Sequence, residues 1–207
     1  MGASGTKPAD EEIVVAFPVP RERIQLATNI RSTLIASSLR SLRERGRLDE
    51  YRALLDEPWR DLPTRAIAAG WLPIDAGLAH YRACEALRFT LAEQLAIGRE
   101  VGDRVHGTFL GTMIRGARSV GVTPWISLAH VNRLYERLFD SGGCCVTRAG
   151  PKDARLELVG NPVLAIPYFR NAMRGLWQVA VEFFCAKAYI NETGRTDSSY
   201  KVRISWA

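Results

Sequence analysis

The chain has 207 residues, of which 47% are hydrophobic and 24% are charged, and its formal net charge at pH 7 is +6. The hydrophobic fraction is that of a globular protein, which excludes collagen-like, fibrous and wholly disordered chains. Four cysteines are too few for a disulfide framework in a chain of this length. No apolar run reaches the ~18 residues that a membrane-spanning helix needs.

The positive charge comes almost entirely from arginine, with 24 arginines against four lysines. The densest run, between Arg40 and Arg47, includes Glu44, is followed by two further acidic residues and holds no aromatic side chain. No zinc-finger, RNA-recognition or basic-zipper pattern occurs. We therefore expect solvated surface charge and no nucleic-acid partner.

The N-terminal half is predicted to be helical. Residues 1–10 are small and polar, and we expect a disordered tail there, followed by a single domain over 11–207. After a β-like run at 13–17, apolar residues recur with helical spacing from 21 to 45, up to Gly46, which can end a helix with a left-handed conformation. The start of the sequence has no secretory pattern, so we expect a cytoplasmic protein.

A long helical region is predicted from Asp75 to about Ser119. The glycines inside it, which include Gly98 and Gly102, either break the region near 102–107 or allow a second helix to approach closely. Thr123 and Pro124 form a strong helix start, an N-cap residue followed by proline.

After Gly143 the hydrophobic pattern alternates with period two, which is typical of strands with one buried face. We predict strands at 144–148, 154–159, 183–190 and 199–206, with a helix after Pro167. In the last strand the side chains of Tyr200, Val202, Ile204 and Trp206 are expected to face inward. The predicted class is α+β, with an N-terminal helical layer (about 21–140) packed on a C-terminal four-stranded antiparallel ββαββ sheet module (about 143–207).

This order of elements resembles a family of uncharacterised small paralogous proteins of myxobacteria. The matching pieces are Gly107-Thr108, Arg115, Ala117, Thr123-Pro124-Trp125, Gly150-Pro151, Glu157, Tyr168-Phe169-Arg170 and the strand from Tyr200 to Trp206. That family is similar to the wider fold of haem-nitric-oxide-binding domains, 4-vinyl-reductase-type domains and TRAPP tethering subunits. The resemblance implies an apolar cavity between helices and sheet. It does not imply one activity, because members of the wider fold bind haem, bind small apolar molecules or act as assembly subunits.

His106 is the histidine that best suits a cofactor. It continues the helical line of Gly98 and Gly102, where a planar group or another helix could approach, and imidazole is a common haem ligand. The Tyr-x-Ser-x-Arg arrangement with which haem-nitric-oxide-binding domains hold the propionates has no match here. We therefore expect no cofactor, with haem as the alternative. His80 and His130 have no spaced partner.

The remaining pocket candidates are aromatic and cationic residues of the helices. Together with His106, the ligand-pocket candidates are Phe109, Tyr168, Phe169, Trp177, Arg170 and Arg174. The two arginines lie one helical turn apart and could bind an anionic ligand. Packing in the hydrophobic core is the alternative explanation for the aromatic residues.

The four cysteines show no metal-binding spacing, so we expect no metal site. Cys144 and Cys145 are adjacent on a strand and therefore point to opposite faces. The resemblance to tethering subunits makes Cys84 a candidate for acylation inside the cavity, and core packing is the alternative.

No nucleophile elbow, phosphate-binding glycine loop or pair of carboxylates at a catalytic spacing is present. We therefore predict a non-enzymatic bacterial signalling domain that binds a small apolar ligand or a protein partner, which includes a second copy of the chain. The alternative is a haem or redox sensor that uses His106 or the cysteine thiols.

Overall fold

The computed structural model describes residues 12–66, 70–117, 123–196 and 199–207, with the backbone alone for 106–117. The predicted tail at 1–10 lies outside these ranges. In the described part of the chain, no helix is both long enough and apolar enough to cross a membrane.

The first third of the chain forms short elements around one longer helix. They are β1 (Glu12–Val15), a 3-10 turn (Arg21–Arg23), β2 (Asn29–Arg31), α1 (Ser32–Glu44), α2 (Leu48–Ala53), a second 3-10 turn (Glu57–Trp59), α3 (Leu62–Arg65) and β3 (Trp71–Pro73). The helix predicted over 21–45 is thus confined to 32–44, because the preceding residues are extended and β2 pairs with β3. The predicted end at Gly46 is confirmed by its left-handed backbone, with φ of 67°.

The predicted helical region from Asp75 is two helices, α4 (Ile74–Ala86) and α5 (Leu91–Ala117). The break lies near Arg88, whose φ is +55°, and not at 102–107. Gly98 instead brings α5 against a later helix, α8 (Pro167–Glu182), since a Cβ atom at position 98 would lie 1.9 Å from the carbonyl oxygen of Ala172. The prediction of close helix contact is therefore confirmed at this glycine.

Two short helices and one long helix complete the helical part. They are α6 (Pro124–Ala129), α7 (Val131–Tyr135) and α8 (Pro167–Glu182), with a 3-10 turn (Pro162–Ala165) before α8. Thr123 is the N-cap residue of α6 and Pro124 follows it, as predicted. His130 separates α6 from α7, so the helix predicted after Pro124 is interrupted there.

The main sheet has five antiparallel strands and not the predicted four. Its C-terminal strands are β4 (Gly143–Gly150), β5 (Asp153–Val159), β6 (Ala188–Arg195) and β7 (Ser199–Trp206), and the order across the sheet is β1-β4-β5-β7-β6. The fifth strand is β1, which pairs with β4. The strand predicted at 183–190 is wrong over its first half, because α8 continues to Glu182 and β6 begins at Ala188.

The α+β class is confirmed, with helices packed on one face of the sheet. Tyr200, Val202, Ile204 and Trp206 of β7 are buried on that face, as predicted. Helix α8 contacts the sheet at β6, α5 packs on α8, and α1 packs on α5. This order of layers places α5 between two helices, and the candidate sites lie along its two sides.

Candidate functional site

The space enclosed between α1, α4, α5 and α8 is small. Its volume is about 20 Å³, whereas a single water molecule needs about 10–15 Å³ of such space. The cavity therefore has no room for a porphyrin or an acyl chain in this conformation. It is lined by Leu34, Ser38, Tyr81, Ile97, Gly98, Val101, Tyr168, Phe169, Ala172, Met173 and Leu176.

The predicted aromatic pocket residues of α8 are part of this filled interior. Tyr168 and Phe169 line the cavity and are almost fully buried, and the Phe169 ring packs edge-on against Tyr81. Trp177, also on α8, is buried but is not among the residues lining the cavity. Tyr168 and Phe169 thus belong to the hydrophobic core and surround a cavity about the size of one water molecule.

Arg170 and Arg174 bind backbone carbonyl groups of this chain. The buried guanidinium of Arg170 donates to the oxygens of Leu164 (2.7 Å) and Ala165 (3.0 Å), and its Nε lies 3.6 Å from Glu192. Arg174 donates to the oxygen of Ile190 at 3.0 Å. These contacts tie α8 to the preceding turn and to β6, while the buried Nε of Arg170 makes no hydrogen bond of good geometry with a described residue. The predicted role of both arginines in binding an anionic ligand stays a prediction.

A buried polar cluster that the sequence analysis missed lies between α2, α4 and α8. The Tyr51 hydroxyl and His80 Nδ1 share a hydrogen bond of 2.8 Å, and His80 Nε2 lies 3.7 Å from the Cys84 sulfur. Burial lowers the pKa of His80 to about 3, so its imidazole is neutral. The i, i+4 spacing of His80 and Cys84 is the one sequence signal that could have paired them.

Cys84, the acylation candidate, is fully buried. Burial raises the pKa of its thiol well above the ordinary value, and the nearby hydroxyls of Tyr168 and Ser38 act in the opposite direction. The thiol is therefore protonated and a weak nucleophile. The predicted opposite orientation of Cys144 and Cys145 is confirmed, since Cys144 is buried and Cys145 is partly exposed.

A larger space lies on the other side of α5, where it faces α1 and the segment after α7. We call it the α1–α5 groove. It has a volume of about 550 Å³ and is lined by Thr33, Ala36, Ser37, Arg40, Arg104, Val105, Arg137 and Leu138. Its lining is mixed, with apolar side chains from all three segments and three arginines.

Ion pairs between α1 and α5 hold this groove in shape. Arg104 donates to the Ser37 carbonyl oxygen at 2.7 Å and to Glu44 at 2.8 Å. One turn away, Arg45 binds Glu100 through two hydrogen bonds of 2.6 and 2.9 Å. The hydrogen bond from Arg40 lowers the pKa of Glu44, so its carboxylate stays ionised beside the arginines.

The three histidines have different surroundings. His80 is engaged in the buried cluster, as described above. His130 is half-buried between α6 and α7, and its imidazole makes no hydrogen bond with another described residue. The side chains of His106 and Phe109 lie outside the described residues, so their predicted pocket role stays a prediction. Among the described residues, no group of three His, Cys, Asp or Glu side chains could hold a metal ion.

A second groove of about 580 Å³ lies where α4 meets the turn before α8. Its lining is mainly apolar and includes Leu26, Leu78, Ala165 and Ile166, together with Arg82 and Glu85. No histidine is among the described residues that line it. Its mainly apolar lining is suited to an apolar molecule.

No protein-family model matches the sequence. No curated protein matches it either. The structure is similar to solved haem-nitric-oxide/oxygen-binding (H-NOX) domains. The Fe(II) unliganded H-NOX protein from K. algicida matches with a TM-score of 0.61 at 12% identity, over 86% of this chain and 97% of that chain. The chain adopts an H-NOX-like fold.

Two other neighbours have the same H-NOX-like fold. An oxygen-binding H-NOX domain related to soluble guanylate cyclases matches with a TM-score of 0.55 at 15% identity, over 84% of this chain and 94% of that chain. A protein whose haem redox potential is modulated by porphyrin distortion matches with a TM-score of 0.54 at 15% identity, over 86% and 100%. These likenesses support the wider fold named above but not the myxobacterial family.

The expectation of no cofactor conflicts with this comparison and is corrected. The solved domains that share the fold include proteins described by their haem. The lack of a propionate-binding motif in the sequence is therefore not a sufficient reason to exclude a cofactor, because carboxylates can be bound by arginines brought together from separate elements.

Proposed function

We propose that the chain is a non-enzymatic sensor domain whose cofactor is haem. The observation that carries the proposal is the match of the H-NOX-like fold over most of both chains, because one of those domains is described as oxygen-binding and another by its haem. This favours the alternative from the sequence, a haem sensor, over a domain without a cofactor. Fold alone does not determine function, so the side chains must also suit the group.

The α1–α5 groove suits haem better than the interior does. Its volume of about 550 Å³ falls within the range of about 300–1000 Å³ that is usual for ligand pockets. Ala36, Val105 and Leu138 supply apolar surface for a porphyrin face. The interior cavity, at about 20 Å³, fits no part of the group without separating α5 from α8.

Arginines in the groove suit the propionate carboxylates of haem. Arg40, Arg104 and Arg137 all line it, and arginine binds carboxylates through paired, charge-assisted hydrogen bonds. Arg40 contacts Glu44, and Arg104 contacts both Glu44 and Glu100, but the charged residues among the described lining of the groove are all arginines. These arginines would thus orient haem by binding its propionate groups.

Two histidines remain as candidate axial ligands. His80 is excluded because both of its ring nitrogens face Tyr51 and Cys84. His106 follows Arg104 and Val105 on α5, and His130 precedes the segment that supplies Arg137 and Leu138. A bound haem would supply an iron centre for a small gas molecule, and the apolar lining of the groove would limit access of water to it.

A haem titration of the purified full-length chain tests the proposal. We expect a Soret band that saturates at one haem per chain. Substitution of the ligand, in either His106→Ala or His130→Ala, should shift that band and weaken binding by about tenfold or more. Each variant is the control for the other. A wild-type chain without a saturable Soret band, or a band that neither substitution changes, would contradict the proposal.

A second candidate function is the binding of a small apolar molecule other than haem. The observation that favours it is the mainly apolar groove around Leu26, Leu78 and Ile166. Native mass spectrometry of the purified chain, compared with an Ala165→Trp variant that fills this groove, tests it. A bound mass that Ala165→Trp removes supports this function, and a clean unliganded mass opposes it.

A further inference from the structure

The cavity between α1, α5 and α8 is lined by two hydroxyl groups that make no hydrogen bond of good geometry with a described residue. Ser38 Oγ and Tyr168 Oη are buried, and neither makes a hydrogen bond of acceptable geometry with another described residue. Both side chains line the cavity. Because a buried hydroxyl without a partner destabilises a fold, such groups usually bind an ordered molecule in the space beside them.

A third polar group lies beside these hydroxyls but does not satisfy them. The Cys84 thiol and the two hydroxyls lie close to one another, since Tyr168 and Ser38 both act to lower the pKa of Cys84 and Ser38 acts to lower the pKa of Tyr168. A thiol is a weak hydrogen-bond donor and a weak acceptor. The other side of Cys84 faces His80 Nε2 at 3.7 Å. The thiol therefore leaves hydrogen-bonding capacity on both hydroxyls.

The size and charge of the cavity define what it can hold. About 20 Å³ suffices for one water molecule and excludes a molecule of several heavy atoms. Among the described residues that line the cavity none carries a charged side chain, so an ion would lose its hydration there without a counter-charge. The occupant must then be neutral, of water size and able to form hydrogen bonds.

We propose that this cavity is a binding site for one water molecule, held between Ser38 Oγ of α1 and Tyr168 Oη of α8. The water would bridge α1 and α8, both of which pack on α5. The site shares no lining residue with the α1–α5 groove, so it is independent of whether haem binds there. It goes beyond the proposed function by assigning the Tyr168 hydroxyl to a buried structural water.

High-resolution crystal structures of the full chain and of the double variant Ser38→Ala/Tyr168→Phe test the proposal. We expect one water peak within hydrogen-bonding distance of both hydroxyls in the wild type and its loss in the double variant. A direct hydrogen bond between the two hydroxyls with no peak, a peak that persists in the double variant, or density for a larger molecule would overturn the proposal.

Thermal unfolding supplies a second readout in solution. Tyr200 is a matched control, because its hydroxyl is also buried without a described partner but the residue does not line the cavity. We expect Tyr168→Phe to lower the melting temperature, since it removes a hydrogen bond to the water, and Tyr200→Phe to leave it unchanged or raise it. Equal melting temperatures for the two variants would count against the bound water.

Discussion

Helix α5 packs against two neighbours in different ways. On the α8 side, Gly98 and Gly175 let the two backbones approach so closely that no ligand-sized space remains. On the α1 side, the contact is made by long charged side chains such as Arg104 and Glu100, and a groove of about 550 Å³ stays open. In the part of α5 whose side chains the structure describes, glycines therefore close the α8 side of the helix, while arginines and glutamates lie at the open groove on the α1 side.

The largest effect is expected where a side chain is forced into the α5–α8 contact. In Gly98→Ala the new Cβ atom would lie 1.9 Å from the carbonyl oxygen of Ala172, so the helices must separate. We expect the free energy of unfolding to fall by about 3 kcal/mol, measured by urea denaturation.

Gly102→Ala is the matched control for this substitution. Its Cβ atom would lie 3.2 Å from the Cα atom of Leu176, which requires only a small shift, and alanine favours the helix by about 1 kcal/mol over glycine. We expect little change in stability. If Gly98→Ala and Gly102→Ala lowered the free energy of unfolding equally, the close contact at Gly98 would not be what holds α5 against α8.

The next largest effect concerns the buried histidine of the closed interior. An unfolded chain binds a proton on His80 at the ordinary pKa of 6.5, whereas burial lowers the pKa in the folded chain to about 3. Between these values the unfolded state binds more protons, so stability falls as the pH is lowered. We expect His80 to contribute a loss of about 2 kcal/mol from pH 7 to pH 5.

Urea denaturation at several pH values measures this loss. His80→Gln should reduce the dependence on pH in that interval, whatever its effect on stability at pH 7. A His80→Gln variant with an unchanged pH slope would mean that the histidine is not buried in neutral form.

A smaller effect is expected at Asp140, which fixes the segment that supplies Arg137 and Leu138 to the groove. Its carboxylate accepts hydrogen bonds from the backbone and side chains of Thr28 and Asn29, at 2.6 to 2.9 Å. Burial alone would raise the pKa of Asp140, but these hydrogen bonds outweigh it and hold the pKa at about 2. Asp140→Ala should therefore lower stability by about 1 kcal/mol at pH 7.

The sign of the pH dependence follows from the lowered pKa. The contribution of Asp140 is fully present above pH 3.8, the ordinary pKa, and is lost as the pH falls toward 2. Denaturation curves of wild type and Asp140→Ala should thus converge at low pH. Asp49→Ala, which removes a fully exposed carboxylate with one long ion pair, is the control and should stay close to wild type throughout.

The smallest effect is expected on the open side of α5. Glu100→Gln weakens the paired hydrogen bonds with Arg45, but both side chains are partly exposed. Water and salt therefore screen the interaction, and we expect a loss of about 0.5 kcal/mol that decreases at high salt. If Glu100→Gln lowered the free energy of unfolding as much as Gly98→Ala, the α1 and α8 sides of α5 would not differ in how tightly they pack.

The hydrophobic pattern along the chain predicted those elements whose structure is determined by residues close to one another in the sequence. The alternation from Tyr200 to Trp206 correctly identified a half-buried strand and its inward face. The β-like run at 13–17 was predicted and overlaps β1, but its place in the main sheet was not, because β1 pairs with β4, which is more than 120 residues away along the chain. The helix break at Arg88 has neither glycine nor proline to mark it, and the local signal that was overlooked is the capping box of Thr90 and Glu93 at the start of α5.

The candidate sites were less predictable, because they depend on tertiary contacts. Tyr168 and Phe169 were named as pocket residues, but only the packing of α1 and α5 against α8 shows how small that pocket is. The hydrogen bond between Tyr51 and His80 joins α2 and α4, and the spacing of residues in the sequence does not reveal a contact between two helices. The groove arginines come from three separate segments, so no motif contains them.

The central claim, that haem binds in the α1–α5 groove, is tested most directly by two tryptophan variants in a haem titration. Ala36→Trp fills the α1–α5 groove, and Ala165→Trp fills the second groove, which has nearly the same volume. Circular dichroism would first confirm that both variants fold. The claim predicts that Ala36→Trp abolishes the saturable Soret band while Ala165→Trp retains it. Retention of the band in Ala36→Trp, or its absence from the wild-type chain, would contradict the claim.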